Sequence, residues 1–141
     1  MSQVEDFNSR TIAEFRANGG RVGGNFAGAP ILLLHSVGAR SGQARLHPMM
    51  YLSDHGRYIV FASKAGAPTN PDWYHNLKAH PEATIEVGSG TIEVTAAELT
   101  GSERDELFDR QAALFPGFAD YQAKTTRLIP VVALIPKRPG S

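Results

Sequence analysis

Hydrophobic positions along this chain follow two rhythms, and each change of rhythm marks an element. Val4, Phe7, Thr11, Ile12 and Phe15 recur at helical spacing from Val4 to Asn18, a stripe that ends at Gly19-Gly20. A core-packing helix is expected there. Its polar face mixes signs, so peripheral contact with a membrane through this N-terminal helix is the weaker alternative. Gly19, Gly20, Gly23, Gly24 and Gly28 then make a permissive loop, closed by Ala29-Pro30. Ile31 to Val37 reads as a buried strand, Gly38-Ala39-Arg40-Ser41-Gly42 as a turn, and Ala44 to Ser53 alternates as a second strand. Asp54-His55-Gly56-Arg57 turns the chain into a third strand, Tyr58 to Ala62.

Asn70 as cap and Pro71 in the first turn open a helix to about Ala79, ended by His80-Pro81. Ala83 to Val87 and Thr91 to Leu99 form a hairpin around Gly88-Ser89-Gly90. Thr100 and Glu103 have the spacing of a capping box, so a helix follows to about Phe115, where Pro116-Gly117 breaks it. The last strand, Ile129 to Ile135, is bracketed by Pro130 and Pro136, which suits an edge or a strand end. About six short, mainly antiparallel strands with three to four helices predict an α+β fold, a partly open barrel.

Length and composition narrow this further. With 141 residues, 42% of them hydrophobic, the chain suits a single domain over residues 1–141 with a real core. No apolar run approaches the ~20 residues that span a bilayer. Met1 to Asp6 is acidic and has no apolar core of a secretory signal. The absence of cysteine excludes disulfides and thiolate metal sites and fits a cytoplasmic setting. The net charge of zero hides an asymmetry. Between Phe7 and Pro71 seven Lys/Arg (Arg10, Arg16, Arg21, Arg40, Arg45, Arg57, Lys64) face two acids, Glu14 and Asp54. Between Asp72 and Asp109 nine acids face Lys78 and Arg104. One electropositive face is expected, suited to a phosphorylated small molecule; no basic stripe or recognition helix supports nucleic acid.

Two loops carry candidate chemistry. The turn at Gly38 to Gly42, with Arg45 after it, offers backbone N–H groups, a hydroxyl and two guanidinium groups for a phosphate or carboxylate. It is no Walker loop, because a strand follows it; a plain hairpin turn is the competing reading. Ser63 and Lys64 leave the end of a buried strand, a common delivery point for functional side chains. Close behind them, Asn70-Pro71-Asp72-Trp73-Tyr74 holds the only Trp of the chain, beside a Tyr. Such a loop can hold an anion while the aromatic pair covers a flat ring. His47-Pro48-Met49-Met50 adds apolar surface that suits a ring or the core. His35 and His47 could face each other across the first hairpin without a third ligand, and His75 and His80 miss the i, i+4 spacing, so no metal is expected. No Gly-x-Ser-x-Gly elbow or carboxylate pair suggests a hydrolase.

Taken in order, Gly38-x-Arg40-Ser41-Gly42-x-x-Arg45, Pro48-Met49-x-Tyr51, Ala62-Ser63-Lys64-x-Gly66, Asn70-Pro71-x-Trp73-Tyr74-x-Asn76-Leu77 and Arg127-x-Ile129-Pro130-Val131-Val132 form a pattern. From about Phe15 to Pro136 the chain resembles the deazaflavin-dependent nitroreductase family, which uses coenzyme F420, an 8-hydroxy-5-deazaflavin. The resemblance implies a split β-barrel of the FMN-binding type. It implies that Arg40, Ser41, Arg45 and Lys64, with the loop residues Ala65 and Gly66, hold the phosphate and the anionic tail. His47, Pro48, Met50, Ala62, Ser63, Asn70, Asp72 and Trp73 would line the ring pocket. Hydride would pass to a small-molecule electron acceptor, with Tyr121 and Ser63 as the catalytic candidates for the accompanying proton.

Departures from the family pattern shape the expected acceptor. Ala39 stands where many relatives have Arg, Arg40 where they have Lys, and Ala65 where Gly is frequent. In Phe115 to Tyr121, tyrosine-rich in the nitroreductase members, only Tyr121 keeps a hydroxyl. A greasier pocket suits a quinone or an unsaturated lactone or coumarin-like ester better than a nitroaromatic. The alternatives are an FMN-binding oxidoreductase of the same fold and a non-catalytic deazaflavin-binding carrier protein. A monomer is favoured.

Overall fold

A computed structural model of the chain describes residues 3–20, 30–67 and 69–137, with the side chains of 3–8 and 65 left aside. The glycine-rich loop read at Gly23, Gly24, Gly28 and Ala29, and the side chain of Ala65, lie outside the described residues. Helix α1 (Gln3–Ala17) precedes strands β1 (Ile31–Val37), β2 (Ala44–Met50), β3 (Leu52–Asp54) and β4 (Arg57–Phe61). A 3-10 turn at Lys64–Gly66 leads to α2 (Asp72–Ala79) and the hairpin β5 (Glu82–Val87) and β6 (Gly90–Leu99). Helices α3 (Gly101–Leu114) and α4 (Gly117–Lys124) and strand β7 (Val131–Pro136) follow.

The strand order explains the shape. All pairs are antiparallel, in the order β2-β1-β5-β6-β7-β4-β3. Strands β2 and β3 therefore stand at opposite ends of the sheet, yet Tyr51 alone separates them in the chain. A flat seven-stranded sheet would hold those ends about six strand spacings of ~4.8 Å apart, far beyond the reach of one residue. The sheet must curl until its ends meet, which makes the split barrel.

Curling gives most strands two apolar neighbours. Leu32, Leu34, Val60, Ile85, Val94, Val132 and Leu134 pack together on one face with Trp73, Tyr74 and Leu77 of α2. Ile59, Phe61, Val131 and Ala133 face the other way, onto Leu107 and Phe108 of α3 and Phe118 of α4. Phe15 of α1 closes the outer face of β1 at Ile31 and Leu33. The unbroken runs Ile31-Leu32-Leu33-Leu34 and Val131-Val132-Ala133-Leu134 thus read as strands buried on both sides. The apolar side of α1 that the structure describes, Phe15 with Ile12, is occupied by the sheet and not by a lipid surface.

Several expectations need correction. The predicted strand Ala44 to Ser53 is two strands, broken where Tyr51 N–H turns to the Pro30 carbonyl (3.1 Å), which raises the count to seven. Strand β7 is interior, between β6 and β4, with its prolines at its ends. The capping box does not close: Thr100 makes no side-chain cap bond, and Glu103 instead accepts from Arg57 at 3.1 Å. Pro71, not Asn70, holds the cap position of α2. Pro116-Gly117 ends α3 but starts α4 at once, a helix the pattern did not suggest. His35 and His47 are one register step apart, with His47 opposite Leu34 and His35 opposite Leu46, so they leave opposite faces.

Candidate active site

The β1–β2 turn builds a polar end. Gly38 N–H donates to the Gln43 carbonyl (2.8 Å) and Gly42 N–H to the Gly38 carbonyl (3.0 Å). A Cβ on Gly38 would stand 2.5 Å from Ser41 Oγ, so a side chain there would displace that hydroxyl. With Gln43 N–H on Ser41 Oγ (3.2 Å) and Ala39 N–H on Asn76, the N–H groups of Gly38, Ala39, Gly42 and Gln43 are engaged, and the turn does not offer these four to an anion as the sequence suggested. Asn76 of α2 buttresses the turn: its Oδ1 accepts from Ala39 N–H at 2.9 Å, and its Nδ2 reaches Ser36 Oγ at 3.5 Å. The turn, Arg45 and the α2 residues Asp72, His75 and Asn76 enclose a cavity of about 590 Å³. Arg45 meets only Ser41 Oγ (3.5 Å) and Gln43 Oε1 (3.4 Å). Among the described residues neither Arg40 nor Arg45 has a carboxylate within ion-pair distance, so two guanidinium groups face the lone carboxylate of Asp72.

Strand β2 carries the site onward. Its register sets Arg45 opposite Ser36, His47 opposite Leu34 and Met49 opposite Leu32, so these three side chains share the face that looks toward α2. Beyond His47, Met49 and Met50 line a second cavity of about 220 Å³ with Phe61, Ser63, Lys64, Pro71, Trp73, Phe118 and Tyr121. The two cavities adjoin at the first turn of α2, since Asp72 lines one and its neighbours Pro71 and Trp73 the other. His47, expected at the ring, lines neither cavity, though it lies on β2 between Arg45 and Met49. Its Nδ1 is enclosed and finds no hydrogen-bond partner among the described residues. Burial holds its imidazole below the usual histidine range; Asp72 pulls the other way, and Arg45 adds to the depression.

The loop after β4 is held from behind by Arg127. Its Nε donates to the Ala67 carbonyl (2.9 Å), Nη2 to the Ser63 carbonyl (2.8 Å), and Nη1 to the Ala62 carbonyl (3.1 Å) and Asn70 Oδ1 (2.7 Å). Within this loop Lys64 adopts φ +46° and its Nζ donates to Thr69 Oγ1 (3.1 Å). Gly66 adopts φ +80°, and a Cβ there would stand 2.8 Å from the Tyr121 carbonyl. The loop and α4 thus touch through backbone. Phe118 and Tyr121 of α4 close the cavity, edge to face at 5.4 Å, with Phe118 also edge to face on Phe61 at 5.7 Å.

The residues expected from sequence fall into three groups. Arg40, Ser41, Arg45 and Asp72 meet in the polar cavity, while Met50, Ser63, Lys64, Trp73 and Tyr121 meet in the apolar one. Trp73 is 7% exposed and serves both core and cavity wall. Ala62 is buried in the core, Gly66 packs against α4, and Asn70 binds Arg127, so these three line neither cavity. Pro48 is paired with Leu33, on the face away from Arg45 and Met49. Sequence reasoning passed over His75, Asn76 and Phe118 as lining residues, named Met49 only as apolar surface, and assigned Arg127 no role. Arg127 and Asn76 both stood inside the quoted motifs, which was the available signal.

A curled antiparallel sheet, with a cationic cavity beside an apolar one, defines a split-barrel protein. The chain belongs to the F420H(2)-dependent quinone reductase family, which it matches over residues 8–136. It is 39% identical to an F420H(2)-dependent quinone reductase of Mycobacterium tuberculosis over 128 residues, 86% of this chain and 85% of that protein. Among solved structures it is similar to an F420-H2 dependent reductase (FDR-A), with TM-score 0.68 and 40% identity, covering 74% of this chain and 93% of that one. It is also similar to a domain-swapped dimer, with TM-score 0.70 and 36% identity, covering 93% and 96%.

Proposed function

We propose that this protein reduces a quinone at the expense of reduced coenzyme F420, and that the trough formed by the two adjoining cavities is where the two meet. The observation that carries the reading is the division of the trough. Arg40, Arg45 and Ser41, free of carboxylate partners within ion-pair distance, suit phosphate and carboxylate oxygens; Met49, Trp73, Pro71 and Phe118 suit a flat ring. The residues fit the coenzyme, since Arg40 and Arg45 have no carboxylate within ion-pair distance among the described residues, and His47 Nδ1 has no hydrogen-bond partner among them. When bound, the reduced deazaflavin supplies a hydride.

The chain's own residues do the rest. Arg40, Ser41 and Arg45 anchor the tail, and Lys64 adds a cation at the ring end. Met50, Trp73 and Phe118 exclude water beside the reacting atoms. Tyr121 and Ser63 both line the apolar cavity, and their hydroxyls would supply the proton that the acceptor oxygen takes up with the hydride. An apolar wall with few hydroxyls favours a quinone over a nitro compound, which needs more donors.

We read the protein as a monomer. Sedimentation velocity tests that, because one solved relative is a domain-swapped dimer. Among the described residues no helix is long and apolar enough to cross a membrane. We place the reaction in the cytoplasm, the compartment that suits a cysteine-free chain. Fluorescence titration with oxidised coenzyme F420 beside FMN, followed by turnover with a soluble naphthoquinone, tests the whole reading. Saturable deazaflavin binding and quinone-dependent oxidation of the reduced coenzyme are expected. Preference for FMN, or tight binding without turnover on any acceptor, overturns it.

A further inference from the structure

Arg127 is half-buried, and among the described residues it makes no ion pair with a carboxylate; its charge is answered by the three carbonyl dipoles and one amide oxygen already described. Burial pushes its guanidinium below the usual arginine range, though it stays charged at any physiological pH. Its four acceptors are not scattered. Ala62 and Ser63 begin the loop after β4, and Ala67 and Asn70 end it, so one planar fork clamps both ends of a segment distant in sequence. Between the clamped ends lies Lys64 at φ +46°, a left-handed conformation that is unfavourable for a non-glycine residue and persists only where its surroundings enforce it. The same segment brings Gly66 against the backbone of Tyr121.

We propose that Arg127 is a positioning residue for the coenzyme: its fork holds the Ala62–Asn70 segment in the one conformation that presents Ser63 and Lys64 to the trough and seats α4 over it. Arg127 lines neither cavity and touches no ligand; it acts through Lys64 and through Gly66. Lysine cannot replace it, because a single ammonium cannot serve carbonyls on both ends of the segment. The inference rests on the coenzyme reading above for its effect on binding, but its structural half stands alone.

The test is a double-mutant cycle on coenzyme F420 affinity with Arg127→Met, Lys64→Met and the double variant, joined by Arg127→Lys and Asn70→Ala. Each Met variant is expected to bind about tenfold more weakly, and the double variant no more weakly than the poorer single one, because both remove the same presented cation. Additive losses, or wild-type affinity in Arg127→Met, overturn the proposal. If Arg127→Met does not fold, Arg127→Lys and Asn70→Ala, which keep part of the clamp, are expected to show smaller losses that vanish in the Lys64→Met background. Wild-type affinity in both overturns it equally. Amide hydrogen exchange reads the clamp without any ligand, and so separates this inference from the coenzyme assignment. In Arg127→Met or Arg127→Lys the amides of Ser63, Gly66 and Ala67 are expected to exchange faster while Gly38 and Gly42 do not. Unchanged exchange in the segment, or an equal rise throughout the fold, refutes the clamp.

Discussion

The two ends of the trough are built in opposite ways. The cationic end is one hairpin turn: Gly38, Arg40, Ser41 and Arg45 lie within eight consecutive residues, and Asn76 is its single distant brace. Its side chains are exposed, and among the described residues Arg40 and Arg45 have no carboxylate within ion-pair distance. The apolar end draws on β2, β4, the following loop, α2 and α4, and its geometry depends on a glycine pressed against a helix backbone and an arginine clamped on carbonyls. A locally built site can lose one side chain and keep its shape. A site assembled from five elements transmits any fault in one of them to the reacting atoms.

The largest test of this contrast is Gly66→Ala. The added Cβ meets the Tyr121 carbonyl at 2.8 Å at a residue held at φ +80°, so about 3 kcal/mol of stability should be lost. Urea unfolding measures that loss, and a raised acceptor KM should accompany it. An unchanged midpoint would mean the loop and α4 are not rigidly coupled. Next, with Tyr121 as the proposed proton donor, Tyr121→Phe should lower kcat about a hundredfold while leaving coenzyme Kd unchanged. Full turnover in that variant removes Tyr121 as proton donor.

A third ionic site, on the β3–β4 hairpin, serves as a control outside the trough. Asp54 is buried and accepts from Arg57 Nη2 (2.5 Å) and Arg110 Nη1 (2.9 Å), which hold its carboxyl below the usual range, Arg57 foremost. Its stabilisation is fully present above the unfolded carboxyl pKa of about 3.9 and is lost as pH falls through the lower folded value. Asp54→Asn should therefore cost about 2 kcal/mol at pH 7 and progressively less below pH 4, with coenzyme Kd unmoved. Acid unfolding curves of the two proteins that run parallel at every pH would contradict this.

Arg45→Ala should weaken the coenzyme about tenfold with no change in Tm, and wild-type Kd should rise with ionic strength, as exposed charges are screened. The smallest effect belongs to His47. Its folded pKa lies below its unfolded value of about 6.5, so the stability present above that pH declines as pH falls from 6.5 to the folded pKa. Urea midpoints measured from pH 8 to pH 5 should show this decline in the wild type and a flatter profile in His47→Gln.

How far the site could be read in advance follows the same division. Gly38, Arg40, Ser41 and Arg45 were legible because a turn between two strands needs no partner to be recognised. Pro48 and Met50 were expected at the ring from the family resemblance: Met50 lines the apolar cavity with Met49, whereas Pro48 stands opposite Leu33, on the face away from Met49. Asn70 looked like a cap by its place before Pro71, yet Arg127, 57 residues away, takes its side-chain oxygen. Thr100 and Glu103 had capping spacing, but Arg57 competes for Glu103. For Asn70 and Glu103 a distant guanidinium replaced the local partner.

Alternation and runs of apolar residues determined the strands, the helices and the α+β class, because burial on one face or two leaves its period in the chain. The motif residues determined the family and its coenzyme. Only the tertiary structure decided that the sheet curls, since the order β2-β1-β5-β6-β7-β4-β3 is a matter of pairing between distant segments. It alone decided that Pro48 turns away from the trough, and that one arginine binds carbonyls at both ends of the loop after β4. Those choices rest on hydrogen bonds and packing between residues up to 65 positions apart, and no local pattern encodes a contact at that distance.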